Sequence, residues 1–231
     1  MIYIFDLDDT LYDERQYVES GLAAVASFVE KTWNVDKRSG FQELVTLLER
    51  NGRGRIFNDY LANHGIAVNK KNVRACVSAY RLHQPTLTLP DNHLTLLERL
   101  PKPLYLVTDG NKVVQSKKVE ALNIAHYFER VFVTHRFGVQ HAKPSTYCFE
   151  KIKQAEQCQW HEMVYIGDNP AKDFVNLNKL GMPTVRVLTG VHKNAPAKPG
   201  FDAKFTIQNL NELPALSLWT LLGGIPAYLI K

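Results

Sequence analysis

The sequence is poor in cysteine: it holds three among 231 residues, Cys76, Cys148 and Cys158, odd in number and far apart. That excludes a disulfide framework, and no pair has the close spacing of a zinc site. A chain of this size needs neither, because it can bury roughly 70–75% of its unfolded surface. No uninterrupted apolar run reaches the roughly 18 residues of a membrane span. No basic stretch followed by an apolar one opens the chain, as it would in a secretory signal. A cytoplasmic protein without a membrane partner is the expectation. Internal repeats and low-complexity tracts are missing as well. The net charge is +5, yet lysine and arginine are dispersed, without the block that marks a nucleic-acid-binding arm. Such a balance suits a small anionic substrate better than a nucleic acid polymer.

What the chain does have is a series of short apolar runs. They fall at residues 2–5, 104–107, 131–133, 163–166 and 184–188, with a weaker one at 204–207. Short continuous runs predict strands covered on both faces, as in a parallel sheet. Helical patterns alternate with them at 112–122, 145–157 and 170–180. The first sets Val113, Val114, Val119 and Leu122 on one side, and the last is stopped by Gly181. The alternation predicts an α/β fold, a doubly wound, Rossmann-like parallel sheet. Between the first and second strands the patterning is helical throughout, over 14–33, 41–50, 56–63, 70–82 and 92–100. This predicts an α-helical insertion spanning 14–100 in a core formed by 1–13 and 101–231. The apolar tail 216–230, broken by Gly223, Gly224 and Pro226, reads as a segment docked on the body or on a partner. A monomer and a homodimer both fit it.

The chemistry-bearing residues cluster where strands end. The first run stops at Asp6-Leu7-Asp8-Asp9-Thr10, the second at Thr108-Asp109-Gly110-Asn111, and the fourth at Gly167-Asp168-Asn169-Pro170 with Asp173 just beyond. In open α/β sheets the carboxyl edge of the strands is where ligands bind. Lys143, in Ala142-Lys143-Pro144, adds a cation before the next helix. Each group alone has a plain structural explanation: Asp6 or Asp8 as a turn or cap acid, Thr108 as a cap, Lys143 as a solvated lysine, Asp168 and Asp173 as complements to a helix dipole. An EF-hand reading of Asp6-x-Asp8 fails, because the sixth loop position would be Leu11 where glycine is needed. Separate explanations do not account for all the groups standing in order at strand and loop ends.

In that order the motifs Asp6-x-Asp8-x-Thr10, Thr108, Lys143-Pro144 and Gly167-Asp168-x-x-x-x-Asp173 resemble the haloacid dehalogenase-like superfamily of aspartate-nucleophile phosphohydrolases. The resemblance covers roughly 1–13 and 102–190, and it makes the insertion look like that superfamily's α-helical cap of the first class. It implies Asp6 as the nucleophile, forming an aspartyl-phosphate, and Asp8 as the general acid–base. It implies Mg²⁺ held by Asp6, Asp168 and the Asp8 backbone carbonyl. Thr108, the backbone of Asp109 and Gly110, and Lys143 would bind the transferring phosphoryl oxygens. Asp173 would orient Lys143 or a water on the metal. An acid at Asp8, with Asp168, favours attack on phosphorus over carbon.

The expected function is therefore a Mg²⁺-dependent phosphatase acting on a small phosphorylated metabolite of nucleotide, sugar phosphate or phosphoglycolate type. A phosphomutase, or a binding protein on the same fold, is the alternative. In the insertion, Asn51-Gly52-Arg53-Gly54-Arg55 separates two helical patterns. Its bland reading is a solvated turn. Its functional reading makes Arg53 and Arg55 a specificity loop that grips a second anionic group on the substrate.

Overall fold

The computed structural model describes residues 1–216, so the reading of the apolar tail falls almost wholly outside the described residues. Two compact units divide the chain, residues 15–87 and the remainder on either side.

The larger unit is built on a six-stranded parallel sheet: β1 (Ile2–Phe5), β2 (Leu104–Thr108), β3 (Arg130–Val133), β4 (Met163–Gly167), β5 (Thr184–Val187) and β6 (Phe205–Ile207). Their order across the sheet is β3-β2-β1-β4-β5-β6. All residues of β2 and β4 are buried, which is what continuous apolar runs are for when helices cover both faces. Period-two alternation sends Ile2, Ile4, Tyr105, Val107, Met163 and Tyr165 into one core cluster. The chain leaves β1 toward β2 and β3 on one side and reaches β4 on the other. The strand order therefore switches at β1, and the crevice beyond its carboxyl end is the position where open α/β sheets bind ligands.

The smaller unit holds α1 (Arg15–Trp33), α2 (Lys37–Asn51), α3 (Ile56–Asn63) and α4 (Lys70–Leu82). Val18, Leu22, Val25 and Val29 recur at helical spacing along α1 and are buried with Leu44, Tyr60, Leu61 and Cys76 in a core of its own. Asp36 caps α2 through the backbone N–H of Ser39, and Asn69 caps α4 through that of Asn72.

The fifth helix of the interval, α5 (Asp91–Arg99), groups with the sheet unit, so the insertion ends at Leu87 and not at residue 100. The reason is contact. Leu96 and Leu97 are buried, and His93 Nδ1 lies 2.7 Å from the carbonyl of Leu11, tying α5 to the turn that follows β1. The sheet unit is completed by α6 (Lys112–Ala121), α7 (Tyr147–Ala155) and α8 (Val175–Lys179). Two expectations need correction here. The helix expected over 170–180 is regular only from Val175, because Asn169 and Asp173 spend their side chains on a local turn: Asn169 Oδ1 accepts from the Ala171 N–H, and Asp173 Oδ2 from the Asn169 N–H. The inward side of α6 is also only half the expected one: Val119 and Leu122 are buried, but Val113 and Val114 give way to Gln115 and Lys118. Its buried residues are Gln115, Lys118 and Val119, whereas Val113 is exposed.

Candidate active site

The ladder between β1 and β4 runs one residue past the strand, with the Asp6 N–H donating to the Ile166 carbonyl at 2.8 Å. The chain then turns sharply, the N–H groups of Thr10 and Leu11 both donating to the Leu7 carbonyl. Asp9 sits at the corner with φ 55°, and its carboxylate accepts the N–H groups of Glu14 and Val191. A strand followed at once by such a turn delivers Asp6 and Asp8 to the same edge but into different surroundings.

Asp6 faces Lys143. The lysine ammonium is 2.9 Å from Asp6 Oδ1, 2.9 Å from Asp173 Oδ1 and 2.8 Å from the Tyr165 hydroxyl, with a side chain only 1% exposed. Burial works against its charge, yet Asp173 and Asp6 outweigh it and hold the ammonium well above the ordinary lysine range. Lys143 is itself fixed from behind. Its backbone N–H donates to Asp109 Oδ1, which also accepts from the Thr134 hydroxyl, while Asp109 Oδ2 pairs with Lys172 at 3.2 Å. Burial would raise the Asp109 carboxyl, but Lys143, Lys172 and these hydrogen bonds leave it below its usual value.

Asp6, Asp168 and Asp173 are all buried and bring carboxylate oxygens within 4.8 Å of one another. Gly167 makes this possible, because a Cβ there would stand 2.6 Å from Asp173 Oδ2. Burial, with the charge of Asp6 and then Asp173, pushes Asp168 up to about 9. Burial likewise raises Asp6 to about 6, with Lys143 opposing and Asp173 adding to the shift. Three dry carboxylates with one ammonium among them are short of positive charge. Hard oxygen donors in that condition fit a hard divalent cation such as Mg²⁺.

Asp8 is held by a second set. Its Oδ1 accepts from Lys118 Nζ at 2.7 Å and from the Tyr12 hydroxyl at 2.8 Å. Its Oδ2 accepts from Gln115 Nε2 at 2.8 Å. Lys118 also pairs with Glu14 at 3.0 Å and is buried. Burial and the neighbouring Asp8 charge drive the Tyr12 phenol far above its usual range, so it remains a donor. Gln115 Nε2 reaches Thr108 Oγ1 as well, at 2.6 Å, on the end of β2.

The structure thus brings Asp6, Asp168, Asp173, Lys143 and Tyr165 into one cluster and Asp8, Thr108, Gln115, Lys118 and Tyr12 into an adjoining one. Gly110 follows Thr108 and Asp109 at the head of the loop into α6, with φ +132°. Arg53 and Arg55 belong to the helical unit. Both are exposed, and Arg55 Nε lies 3.9 Å from Asp59 Oδ1, one turn along α3. The sequence alone assigns no role at the site to Tyr12, Gln115, Lys118 or Tyr165. The available signal was spacing: Gln115, Lys118, Val119 and Leu122 follow i, i+3, i+4, i+7 and form the inward stripe of α6.

The switch point of the parallel sheet thus gathers aspartates around a buried lysine. The model of the haloacid dehalogenase-like hydrolase family matches residues 1–175, and a second, HAD-hydrolase-like, matches 141–213. A glyceraldehyde 3-phosphate phosphatase from Methanocaldococcus jannaschii is 30% identical over 217 residues, covering 91% of this chain and 93% of its own. One of the same name from Pyrococcus furiosus is 30% identical over 222 residues, covering 92% and 90%. Among solved structures, the HAD-hydrolase YfnB from Bacillus subtilis, bound to magnesium, superposes with a TM-score of 0.64 at 20% identity over 96% of this chain and 97% of its own. The chain belongs to the haloacid dehalogenase-like hydrolases and is a phosphoric monoester hydrolase of that family.

Proposed function

We propose that the enzyme is a Mg²⁺-dependent phosphatase of small sugar phosphates, with glyceraldehyde 3-phosphate the first substrate to test, and that it works through an aspartyl-phosphate on Asp6. The observation that carries this reading is the separation of the two acids of Asp6-x-Asp8 into two environments, one built on Lys143 and one on Lys118. Asp6, Asp168 and the Asp8 carbonyl would hold the cation. Bound there, Mg²⁺ supplies charge neutralisation between carboxylate and phosphate dianion.

The roles of the chain's own groups follow from their hydrogen bonds. In the first step a carboxylate oxygen of Asp6 forms a bond to phosphorus as the bond to the leaving oxygen breaks. That oxygen leaves with a proton from Asp8. Oδ2 is the oxygen that passes it, because Oδ1 is held by two donors, Lys118 and Tyr12, whereas among the described residues Oδ2 accepts from Gln115 only. In the second step water attacks phosphorus and gives its proton back to the same oxygen. Orthophosphate leaves and the Asp6 carboxylate is regenerated. Thr108 and Lys143 meet the phosphoryl oxygens, and Asp173 and Tyr165 keep the Lys143 ammonium in place for that contact. The substrate reading draws on the two relatives, each of which shares at least nine-tenths of its length with this chain.

The test is orthophosphate release from glyceraldehyde 3-phosphate, other sugar phosphates, nucleotides and phosphoglycolate, with and without Mg²⁺. Glyceraldehyde 3-phosphate is expected to give the highest kcat/KM, and chelation to abolish release. Faster release from nucleotides would overturn the substrate class. Isomer interconversion without orthophosphate would mean a mutase.

A further inference from the structure

We infer that Gln115 is a positioning residue that sets two reacting groups at once, the Asp8 carboxyl and the Thr108 hydroxyl. The inference rests on the reading of Asp8 as general acid and Thr108 as a phosphoryl-oxygen donor.

The argument starts from the side-chain amide. Gln115 is 2% exposed, in the first turns of α6, and a single atom, Nε2, lies 2.8 Å from Asp8 Oδ2 and 2.6 Å from Thr108 Oγ1. The atom facing both groups is the amide nitrogen, which donates hydrogen bonds and accepts none. That fixes which way the amide is turned. The nitrogen has two hydrogens, and one is given to Asp8. The other points to Thr108, whose oxygen must accept it, because an amide nitrogen is no acceptor. The Thr108 hydroxyl proton is then barred from the Gln115 side and is left to donate to another group. A phosphoryl oxygen arriving at the end of β2 meets a hydroxyl already turned to donate.

Gly110 gives this arrangement its seat. Its φ of +132° is strained for other residues, and a Cβ there would press on Gln115 Cγ and Cδ at 3.3 Å. The bare backbone of residue 110 thus packs against the glutamine and limits its rotamers. One amide, wedged by one glycine, aligns an acid on the loop after β1 with a hydroxyl on β2. Neither of those groups can turn freely while Gln115 is present.

The two consequences are separable by experiment. Gln115→Leu keeps the size and removes both hydrogen bonds. Loss of the Thr108 arm weakens the grip on the phosphoryl group whatever the leaving group, so competitive inhibition by inorganic phosphate should weaken on the order of tenfold, the worth of a buried hydrogen bond. Loss of the Asp8 arm weakens proton delivery, so kcat/KM for an alkyl phosphate should fall further than for p-nitrophenyl phosphate, whose phenolate leaves without a proton, again on the order of tenfold. Gln115→Glu restores the shape but sets a carboxylate against Asp8 and should be at least as damaging. In a Thr108→Val background, Gln115→Leu should no longer change phosphate inhibition. A purely structural role would lower Tm and reduce both substrates in proportion, leaving the alkyl-to-aryl ratio and phosphate inhibition at their wild-type values, and that result overturns the inference. Asp8→Asn is measured alongside. If it too leaves the alkyl-to-aryl ratio unchanged, the reading of Asp8 has failed. If it shifts the ratio and Gln115→Leu does not, only the inference about Gln115 has failed.

Discussion

Replacing Lys143 by methionine is the sharpest test of how the candidate site is held together. Methionine preserves most of the volume and removes the charge, so the effect is electrostatic more than steric. In the cation-free protein Lys143 is the ammonium that touches both Asp6 and Asp173, at 2.9 Å each, inside a pocket where its side chain is 1% exposed. Deleting one partner of a buried ion pair leaves the other charge dry and costs about 3–5 kcal/mol. For a protein of 150–250 residues each kcal/mol is worth about 2–4 °C, so Tm should fall by about 6–20 °C. The loss must depend on pH. Asp6 stands raised to about 6 even with its lysine present, and without it the carboxyl rises further. Below that range Asp6 is protonated and its ion pair is not missed, so the loss should be larger at pH 8 than at pH 5. Calorimetry on chelated protein, at pH 5 and pH 8, reads both effects. Adding Asp173→Asn to Lys143→Met should recover part of the loss at pH 8, because one of the two stranded carboxylates is then gone. The reasoning fails if the Tm of the single variant at pH 8 stays within about 2 °C of wild type, or if the second substitution deepens the loss.

Asp6→Asn should abolish turnover while leaving the cation-free protein at least as stable as wild type, since a carboxylate raised to about 6 is a burden when ionised; purified variant retaining substantial activity would end the covalent mechanism. Asp6 and Asp168, raised to about 6 and about 9, keep protons in the folded state that the unfolded chain has released above about 4. The folded state therefore binds more protons than the unfolded one, and stability without cation should decline as pH rises from about 4 toward 9. Mg²⁺ should raise Tm more at pH 8 than at pH 5, and equal shifts would show that the raised carboxyls are not what the cation relieves. Arg53→Ala and Arg55→Ala test the loop between α2 and α3: a specificity role requires kcat/KM for the best natural substrate to fall on the order of tenfold or more with p-nitrophenyl phosphate spared, and wild-type values on both reduce the loop to a turn.

What could be read in advance followed from local pattern. Strands β1, β2 and β4 stand out because a strand buried on both faces must be a continuous apolar run, and an acid or hydroxyl ending such a run shows at once. The candidate site residues at strand ends, Asp6, Asp8, Thr108 and Asp168, are legible for that reason. The second set was not. Gln115 and Lys118 are polar residues on a helix, flanked by Lys112, Ser116 and Lys117, and ordinary amphipathic logic assigns polar residues to solvent. That logic turned α6 toward Val113 and Val114. The polar face is buried instead because Asp8, Glu14 and Thr108 wait there as partners; the two acids come from a segment more than 100 residues away in sequence, and Thr108, although only seven residues before Gln115, reads as the end of a strand. Tyr165 was invisible for the opposite reason. It sits in an apolar run, where a tyrosine reads as core, and only the fold brings its hydroxyl to Lys143. The end of the insertion was misjudged because α5 carries the same helical pattern as its predecessors, and periodicity does not say which core a helix joins.

The two lysines also differ in a way that matches the work proposed for their partners. Lys143 is held through its own backbone N–H by the Asp109 carboxylate and through its ammonium by the carboxylates of Asp6 and Asp173, and the Asp6 side chain beside it is 6% exposed. An attacking carboxylate gains from such dryness, because water that would solvate it, or hydrolyse the intermediate early, is kept out. Lys118 is equally buried, but the Asp8 side chain it holds is 21% exposed. A group that must pass a proton first to a leaving oxygen and then take one from water needs that opening. Residues two apart on one loop would ordinarily share an environment. Here the turn that opens at Leu7, directly after Asp6, separates them, and each is supplied with its own cation from a different element: Lys143 from the segment after β3, Lys118 from α6. Exchanging the burial of the two acids would leave a solvated nucleophile and a sealed acid, so the turn that opens at Leu7 matters to the proposed chemistry as much as the carboxylates it separates.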